Sequence, residues 1–287
     1  MKLSELKSKL KQQLETQFNE RETKQLLAII FEKVLKLNRA QQTLSSNQEI
    51  EESAINKLQE FTKKLINHVP IDYLVNETSF YGREFYVDER VLIPRSETEE
   101  LVLWVLESED TNGLTLLDIG SGSGCIPISL YLEGKFLQVD ACEISETANE
   151  VAEINANLLK ASVSFNQLDI LTQVPHKQYD IVVSNPPYVK QEELQGLDKN
   201  VIEHEPIIAL APEGDSLTFY KRMIAIAPEM LKVGGRLYWE IHEDLGKEVV
   251  DLLEKGGCFE KVELKQDLFG RDRLVRAVLM HHSKEIY

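Results

Sequence analysis

Hydrophobic residues recur at helical spacing through the first 70 residues, with charged residues between them. The spacing predicts three amphipathic helices, because each apolar set falls on one helix face. Asn19 precedes the second helix, and Ser46 with Glu49 matches a capping box that opens the third. The three apolar faces comprise Leu3, Leu6, Leu10 and Leu14; Leu26, Leu27, Ile30, Phe31 and Leu35; and Ala54, Leu58, Phe61 and Leu65. We expect a small helical bundle.

Beyond the bundle the pattern changes twice. Short alternating runs around Gly82, followed by Val91-Leu92-Ile93, predict a β-hairpin between residues 78 and 95. From about residue 114, apolar runs of strand length alternate with helical segments, which indicates a mostly parallel, doubly wound sheet. The predicted strands are LTLLDIG, LQVDACEI, SFNQLDI, YDIVVSN and GGRLYWEIH, and an antiparallel hairpin of FEKVELKQDL and RLVRAVLMHH closes the sheet.

These patterns divide the chain into three predicted segments. Residues 1–75 form the helical bundle, residues 76–95 form a β-hairpin linker, and residues 96–287 form an α/β domain. A bundle with charged outer faces and no converging polar cluster is typical of a docking module. We therefore expect the chemistry in the α/β domain.

The formal net charge of −16 is unevenly distributed. Residues 1–70 carry about +3 and residues 71–287 about −19. A protein that holds nucleic acid through its phosphates needs a basic surface, so this balance favours a protein or small-molecule partner.

Three scattered cysteines, Cys125, Cys142 and Cys258, indicate neither a disulfide framework nor a zinc site, and we expect no metal. The chain shows no apolar stretch long enough for a bilayer, and its start reads as a charged amphipathic helix rather than a signal peptide. We expect a cytoplasmic protein.

A glycine-rich loop follows the first strand of the predicted sheet: Gly120, Ser121, Gly122, Ser123 and Gly124. Glycines at this position allow a sharp turn and let a ligand approach the backbone. NAD or nucleotide binding is one interpretation. The third glycine spaced for pyrophosphate and the Walker Lys-Ser/Thr are both missing, which weakens the phosphate-binding interpretations.

Acidic residues mark the ends of the next two strands. Glu143 closes the second strand, where it can accept both hydroxyls of a ribose, and Asp169 closes the third, where it can accept an adenine amino group. An acid at a helix start, favoured by the helix dipole, is the alternative for Glu143. The series as a whole indicates S-adenosylmethionine.

The tetrapeptide Asn185-Pro186-Pro187-Tyr188 ends the fourth strand. Two prolines stiffen the turn and leave carbonyls free to accept, Asn185 adds a side-chain acceptor, and Tyr188 offers a flat face for stacking. Together they suit a planar NH2 group beside a methyl donor. A rigid loop after a buried strand is the alternative.

The run Ile93-Pro94-Arg95-Ser96-Glu97-Thr98-Glu99 precedes a helix, and Ser96 with Glu99 matches a capping box. Arg95 and Glu97 are a surface ion pair in one interpretation. In the other, they shape the entrance to the acceptor pocket.

Several motifs resemble the release-factor glutamine N5-methyltransferases, the HemK/PrmC family. They are VLIPRSETEELV, LLDIGSGSGCIPISL, SNPPY, Glu205-Pro206 followed by Ala209-Leu210, and FGRDR. The resemblance covers roughly residues 70 to 280, and a helical bundle joined by a hairpin is also that family's layout. The family usually has Pro at Ser96, Asp at Glu143, often an aromatic residue at Ile170, and Gly at His242.

The resemblance implies a Rossmann-like methyltransferase that acts on the glutamine of the Gly-Gly-Gln loop in class I peptide chain release factors. S-adenosylmethionine is the implied donor, and S-adenosylhomocysteine is the product. The implied cofactor site comprises Gly120, Ser121, Gly122, Ser123, Gly124, Glu143, Asp169, Ile170 and Asn185. The implied substrate site comprises Asn185, Pro186, Pro187, Tyr188, Arg95 and Glu97, of which Asn185, Pro186 and Tyr188 are catalytic. We expect a monomer whose bundle docks the release factor.

Two other functions compete with this one. The Asn-Pro-Pro-Tyr motif also occurs in enzymes that methylate adenine or guanine amino groups in DNA or RNA, although the acidic α/β domain disfavours such substrates. A binding protein that has kept the fold and lost catalysis is the second.

Overall fold

The computed structural model describes residues 1–280, which form two compact units. The helical unit comprises residues 1–77 and 198–204. The sheet unit comprises residues 78–197 and 205–280. In neither unit does the described part of the chain contain a helix with the length and apolarity to cross a membrane.

The helical unit has one apolar core, to which its three longest helices contribute the predicted leucine-rich faces. Its helices are α1 (Leu3–Leu14), α2 (Glu20–Leu35), α3 (Arg39–Leu44), α4 (Glu52–Ile66), α5 (Ile71–Val75) and α9 (Lys199–Ile202). Asn19 caps α2 by accepting a hydrogen bond from the amide of Glu22 at 3.0 Å. His204, just after α9, places Nε2 3.0 Å from the carbonyl oxygen of Asn67.

The capping box predicted at Ser46 and Glu49 is wrong, because α4 begins only at Glu52. The carbonyl of Ser46 accepts from the amide of Ser4 at 3.0 Å, and that of Gln48 accepts from Leu3 at 2.9 Å. The segment therefore satisfies free amides at the start of α1. Residues 45–47 form a turn, which the Gln48 amide closes by donating to the carbonyl of Ser45 at 2.8 Å.

The predicted hairpin consists of β1 (Thr78–Phe80) and β2 (Arg83–Phe85), which pair antiparallel. The further strand predicted at residues 91–93 is not formed, so that prediction was wrong. Asp88 instead closes a turn there: its carboxylate accepts from the Arg90 amide at 3.1 Å. This turn interrupts the extended run.

The capping box predicted at Ser96 and Glu99 is also wrong. The first helix of the sheet unit begins at Ser96, but Glu99 accepts a hydrogen bond from the amide of Tyr81 at 2.7 Å. Glu99 thus ties the helix to the turn between β1 and β2.

A seven-stranded sheet, in the part of the chain that the structure describes, forms the centre of the sheet unit. Its strands are β3 (Thr115–Ile119), β4 (Gln138–Glu143), β5 (Ser164–Gln167), β6 (Tyr179–Ser184), β7 (Leu231–Glu240), β8 (Phe259–Gln266) and β9 (Asp272–Leu279). The order is β5-β4-β3-β6-β7-β9-β8, and only pairs that involve β9 are antiparallel. The predicted parallel sheet with a closing hairpin is confirmed. The last two residues predicted for that hairpin, 281 and 282, lie outside the described residues.

Apolar layers cover both faces of this sheet. Neighbouring strand residues alternate between the layers: Leu116 and Tyr238 belong to one, Leu117 and Trp239 to the other. The helices are α6 (Ser96–Ser108), α7 (Cys125–Glu133), α8 (Glu146–Leu159), α10 (Ile207–Leu210), α11 (Thr218–Met230) and α12 (Gly246–Lys255). Because β3, β4, β6 and β7 run in parallel, their carboxyl ends lie at one edge, where an open α/β sheet binds its ligands.

Candidate active site

A cavity of about 670 Å³ lies at the carboxyl ends of the parallel strands. Its volume falls within the range typical of cofactor and small-molecule sites. Most of the predicted site residues line it: Arg95, Gly120, Ser121, Gly122, Ser123, Glu143, Asp169, Ile170, Asn185, Pro186 and Pro187.

Three predicted site residues do not line this cavity: Gly124, Tyr188 and Glu97. Gly124 has a φ of +79°, and a Cβ there would lie 3.0 Å from Cδ1 of Ile128 and 3.1 Å from Cβ of Ala152. Gly124 therefore lets α7 approach α8 closely. Glu97 lies on the first turn of α6.

The glycine loop provides open backbone beside an acidic side chain. Gly120 and Gly122 have φ of +76° and +51°, and a Cβ at either would meet nothing within 4 Å. Glu143, at the end of β4, accepts from the amide of Gly122 at 3.1 Å and from that of Ser145 at 3.0 Å. Each carboxylate oxygen keeps a lone pair for a ligand hydroxyl.

Two polar groups near the glycine loop are buried and lack a hydrogen bond of good geometry to any described residue: the hydroxyl of Ser121 and the carboxyl of Asp118, which the backbone of Ile119 approaches only loosely. Burial, and next the nearby charge of Glu143, raise the pKa of Asp118 well above its usual value. Buried polar groups are rarely left unpaired. These orphaned atoms suit a ligand with its own polar or cationic groups.

Asp169 lies two residues beyond the end of β5 at Gln167, so the prediction that it closes the strand was wrong. Its Oδ1 accepts from the amide of Leu171 at 2.9 Å, and its Oδ2 from the hydroxyl of Thr172 at 2.8 Å. These bonds fix a turn at the cavity wall. Ile170, within that turn, is buried.

On the other side of the cavity, Asn185 follows β6 directly and belongs to a hydrogen-bonded chain. Its Nδ2 donates to Oγ1 of Thr98 at 3.2 Å, and the Thr98 hydroxyl donates to Oε2 of Glu240 at 2.6 Å. The Tyr188 hydroxyl donates to Oε1 of the same carboxylate at 2.9 Å. The end of β7, the start of α6 and the Asn-Pro-Pro-Tyr segment are thereby joined.

Glu240 is 1% exposed. Burial raises its pKa, against the opposing effect of hydrogen bonds from Thr98 and Tyr188. A buried carboxylate with two hydroxyl donors is a fixed acceptor.

Arg95 pairs with Glu205, Nη2 to Oε1 at 2.6 Å. The Glu205 side chain is fully buried and also accepts from the amide of Ile93 at 3.1 Å. The alternative of an Arg95–Glu97 ion pair is therefore wrong. A buried carboxylate needs a counter-charge more than an exposed one does, which explains the choice of Glu205.

Comparison with known proteins identifies the family. Residues 5–75 match the PrmC N-terminal domain, and residues 97–216 match the methyltransferase small domain. A release factor glutamine methyltransferase from Flavobacterium psychrophilum is 38% identical over 282 residues, covering 96% of this chain and 99% of that relative. One from Bacillus cereus is 41% identical over 251 residues, covering 85% and 88%. The chain belongs to the release factor glutamine methyltransferase family.

A solved methyltransferase from Pyrococcus furiosus supports the fold alone, with a TM-score of 0.52, 16% identity, and coverage of 78% of this chain and all of that one. The predicted family, fold class and cofactor are confirmed: the protein is an S-adenosylmethionine-dependent methyltransferase with a Rossmann-like sheet.

This member of the release factor glutamine methyltransferase family holds polar residues that the sequence prediction missed. Thr98 and Glu240 belong to the chain that reaches Asn185, and Glu205 holds Arg95. Glu240 ends β7 as Glu143 ends β4, so the strand-end rule that selected Glu143 applied to it as well.

The structure gives His242 a contact that the sequence did not indicate. Its ring packs edge-on against Tyr188, with 5.9 Å between the centroids. Its Nδ1 accepts from the amide of Asp244 at 3.2 Å, and its Nε2 lies 3.4 Å from Oε2 of Glu193. His242 therefore supports the ring of Tyr188.

Proposed function

We propose that the protein transfers the methyl group of S-adenosylmethionine to the side-chain amide nitrogen, N5, of the glutamine in the Gly-Gly-Gln loop of class I peptide chain release factors. The observation that carries the proposal is the position of Asn185 at the wall of a cofactor-sized cavity. Family membership supports the release factor as substrate. In the reaction the methyl carbon leaves sulfur for nitrogen, the sulfur keeps the electron pair, and the nitrogen loses one proton.

The fit of the cofactor to the cavity rests on the groups that line and flank it. We propose that Glu143 accepts the ribose hydroxyls, that the turn of Asp169 and Ile170 holds adenine, and that the glycine loop receives the amino-acid part. The orphaned carboxyl of Asp118 suits an ammonium group. S-adenosylmethionine supplies an activated methyl group on a sulfonium.

The residues of the acceptor pocket orient a weak nucleophile. An amide nitrogen shares its lone pair with the carbonyl and carries two N–H donors. We propose that Oδ1 of Asn185 and the carbonyl of Pro186 accept these hydrogens and stabilise the positive charge that develops on nitrogen. Pro187 and Tyr188 would hold the amide plane. Positioning supplies the catalysis, so a strong base is not required.

We also propose the finer identity of the partner. Arg95, in the cavity wall, and Glu97, on α6, flank the incoming Gly-Gly-Gln peptide. The acidic charge of about −19 over residues 71–287 disfavours DNA or RNA as the acceptor. We further propose that the protein works as a monomer in the cytoplasm, where release factors act.

The segment of residues 1–75 is proposed to dock the release factor away from its glutamine. Its slight positive charge and lack of a converging polar cluster support docking. Deleting residues 1–75 is expected to weaken release-factor binding while S-adenosylmethionine binding, measured by calorimetry, persists. Equal loss of both affinities would contradict the docking role.

The direct test is to incubate the pure chain with methyl-labelled S-adenosylmethionine and a release factor. Label is expected in the Gly-Gly-Gln peptide, and a release factor with Gln changed to Ala is the matched control. The Asn185→Ala enzyme is expected to bind the cofactor and lose about a hundredfold in kcat, by analogy with removal of one oxyanion-hole donor. Label on DNA or ribosomal RNA, with the peptide unlabelled, would favour the nucleic-acid alternative; cofactor binding without any transfer would indicate lost catalysis.

A further inference from the structure

We propose that Thr98 and Glu240 are positioning residues that fix the orientation of the Asn185 side-chain amide, and that they thereby make the acceptor pocket selective for an NH2 group over a carboxylate. The identity of the acceptor rests on the proposed function. The orientation itself rests on three hydrogen bonds among buried or partly buried groups.

The direction of each hydrogen bond follows from the number of available hydrogens. An ionised carboxylate only accepts, so the hydroxyls of Thr98 and Tyr188 must both donate to Glu240. The single hydroxyl hydrogen of Thr98 is then committed, and only lone pairs of its Oγ1 face Asn185. Asn185 must therefore present Nδ2 to Thr98, as observed at 3.2 Å. Its Oδ1 remains available as an acceptor.

This orientation determines which ligand the pocket accepts. A glutamine amide brings two N–H donors, for which a free Oδ1 is the complement. A glutamate side chain brings only lone pairs at neutral pH and would meet the Oδ1 of Asn185 as a second acceptor. If the Asn185 amide were flipped, Nδ2 would face the ligand and the preference would reverse. Discrimination of this kind arises from the buried groups that the wrong ligand leaves unpaired.

The orientation also depends on the ionisation of Glu240. Once Glu240 binds a proton, it becomes a donor, and the bond to Thr98 can reverse. Burial raises the pKa of Glu240, so this change occurs above the usual carboxyl range. The other titratable or charged groups that face it or its hydroxyl partner are Tyr188, Tyr220, Arg273, Glu97 and Arg95. The preference for a glutamine amide over a glutamate carboxylate is expected to fall at pH values below the pKa of Glu240.

The first test compares two substitutions of Thr98. Thr98→Val keeps the shape and removes the hydroxyl, whereas Thr98→Ser keeps the hydroxyl. Selectivity is measured by competition between two release factors, one with Gln and one with Glu as the last residue of the Gly-Gly-Gln loop. Thr98→Val is expected to lower the Gln-over-Glu preference about tenfold and kcat/KM by a similar factor, the loss typical of one buried hydrogen bond, while Thr98→Ser keeps both. Unchanged preference in Thr98→Val would overturn the proposal.

The second test needs no acceptor. In the free protein, the ¹⁵N and ¹H signals of the Asn185 side-chain amide are expected to titrate with the acid-side change of Glu240. Glu240→Gln, which has nearly the same shape, should abolish that titration, and Thr98→Val should uncouple Asn185 from it. Asn185 signals that titrate equally in all three proteins would refute the positioning role. Failure of the wild-type enzyme to label any release factor would refute the proposed function instead and leave this result standing.

Discussion

The hydroxyl of Tyr188 donates a hydrogen bond of 2.9 Å to Oε1 of Glu240, a carboxylate that ends the neighbouring strand β7. The ring of the same tyrosine packs edge-on against His242. The ring and the hydroxyl of Tyr188 therefore contact different residues. We propose that the ring supports a planar amide beside Asn185, whereas the hydrogen bond from the hydroxyl lowers the pKa of Glu240 and so helps to keep this buried acid ionised.

Replacing Tyr188 with Phe tests this separation. The ring remains, but Oε1 of Glu240 loses its donor, and we expect the free energy of unfolding in urea to fall by about 1–3 kcal/mol. Because the Tyr188 hydrogen bond lowers the pKa of Glu240, its removal raises that pKa further. The fall in the Gln-over-Glu preference that we expect on the acid side should therefore move to higher pH. A fall at the wild-type pH would contradict the assignment.

Two of the three loop glycines, Gly122 and Gly124, allow a matched comparison between an effect on cofactor binding and an effect on packing. Gly124→Ala places a methyl group 3.0 Å from Ile128 at a φ of +79°, and we expect the free energy of unfolding to fall by about 3 kcal/mol. Gly122→Ala meets open space at +51°, so its stability loss should be about 1 kcal/mol. Gly122 lines the cavity, however, and we expect cofactor affinity to fall about tenfold because the ligand can no longer approach the backbone as closely.

Urea unfolding without cofactor and calorimetric titration with S-adenosylmethionine measure the two effects. A larger stability loss for Gly122→Ala than for Gly124→Ala would contradict the division of roles.

The strand-end residues were predictable because apolar runs locate parallel strands and the topology places their ends together. Glu143 and Asn185 follow from that rule alone. Thr98 does not follow from it. Thr98 can form hydrogen bonds with both Asn185 and Glu240 only because β6 and β7 are neighbours and α6 begins near their ends. Strand order of this kind is a tertiary property that no local pattern encodes.

The two wrong capping boxes have a common physical cause. Ser46 and Glu99 each matched a local pattern worth about 1 kcal/mol, which a tertiary hydrogen bond can outweigh. The carbonyl of Ser46 accepts from Ser4, and the carboxylate of Glu99 accepts from Tyr81. A local pattern was also insufficient for Arg95. Its closeness in sequence to Glu97 suggested that ion pair, but Arg95 pairs with the buried Glu205.

Replacing Asp118 with Asn is expected to stabilise the cofactor-free protein increasingly as pH rises. The folded-state pKa of Asp118 is well above its unfolded value, because the carboxyl is buried and next to Glu143. Between those two values the folded state holds a proton that the unfolded state has lost. The free energy of unfolding therefore falls as pH rises, at up to about 1.4 kcal/mol per pH unit for one group.

Asn does not titrate in this way. The free energy of unfolding of Asp118→Asn should therefore exceed that of the wild type by an amount that grows with pH, as measured by urea unfolding from pH 5 upward. Cofactor affinity should fall in the same variant, since the proposed partner of the ammonium group loses its acidic function. A constant difference across pH would show that the carboxyl titrates normally.

The Arg95–Glu205 pair is expected to stabilise the fold more than an exposed ion pair does. Arg95→Ala leaves the buried Glu205 carboxylate with the amide of Ile93 and without its cation, and the free energy of unfolding should fall by about 2 kcal/mol. This figure is below the value for a fully buried pair because Arg95 is itself 37% exposed at its side chain.

Arg83→Ala is the control: its partner Glu133 is 40% exposed, so the loss should stay below about 1 kcal/mol. Adding Glu205→Gln to Arg95→Ala should recover part of the loss, because the buried group is then neutral. Equal losses for the two arginines in urea unfolding would show that burial of Glu205 does not strengthen its pairing, and Arg95 would then be free to serve the peptide entrance alone.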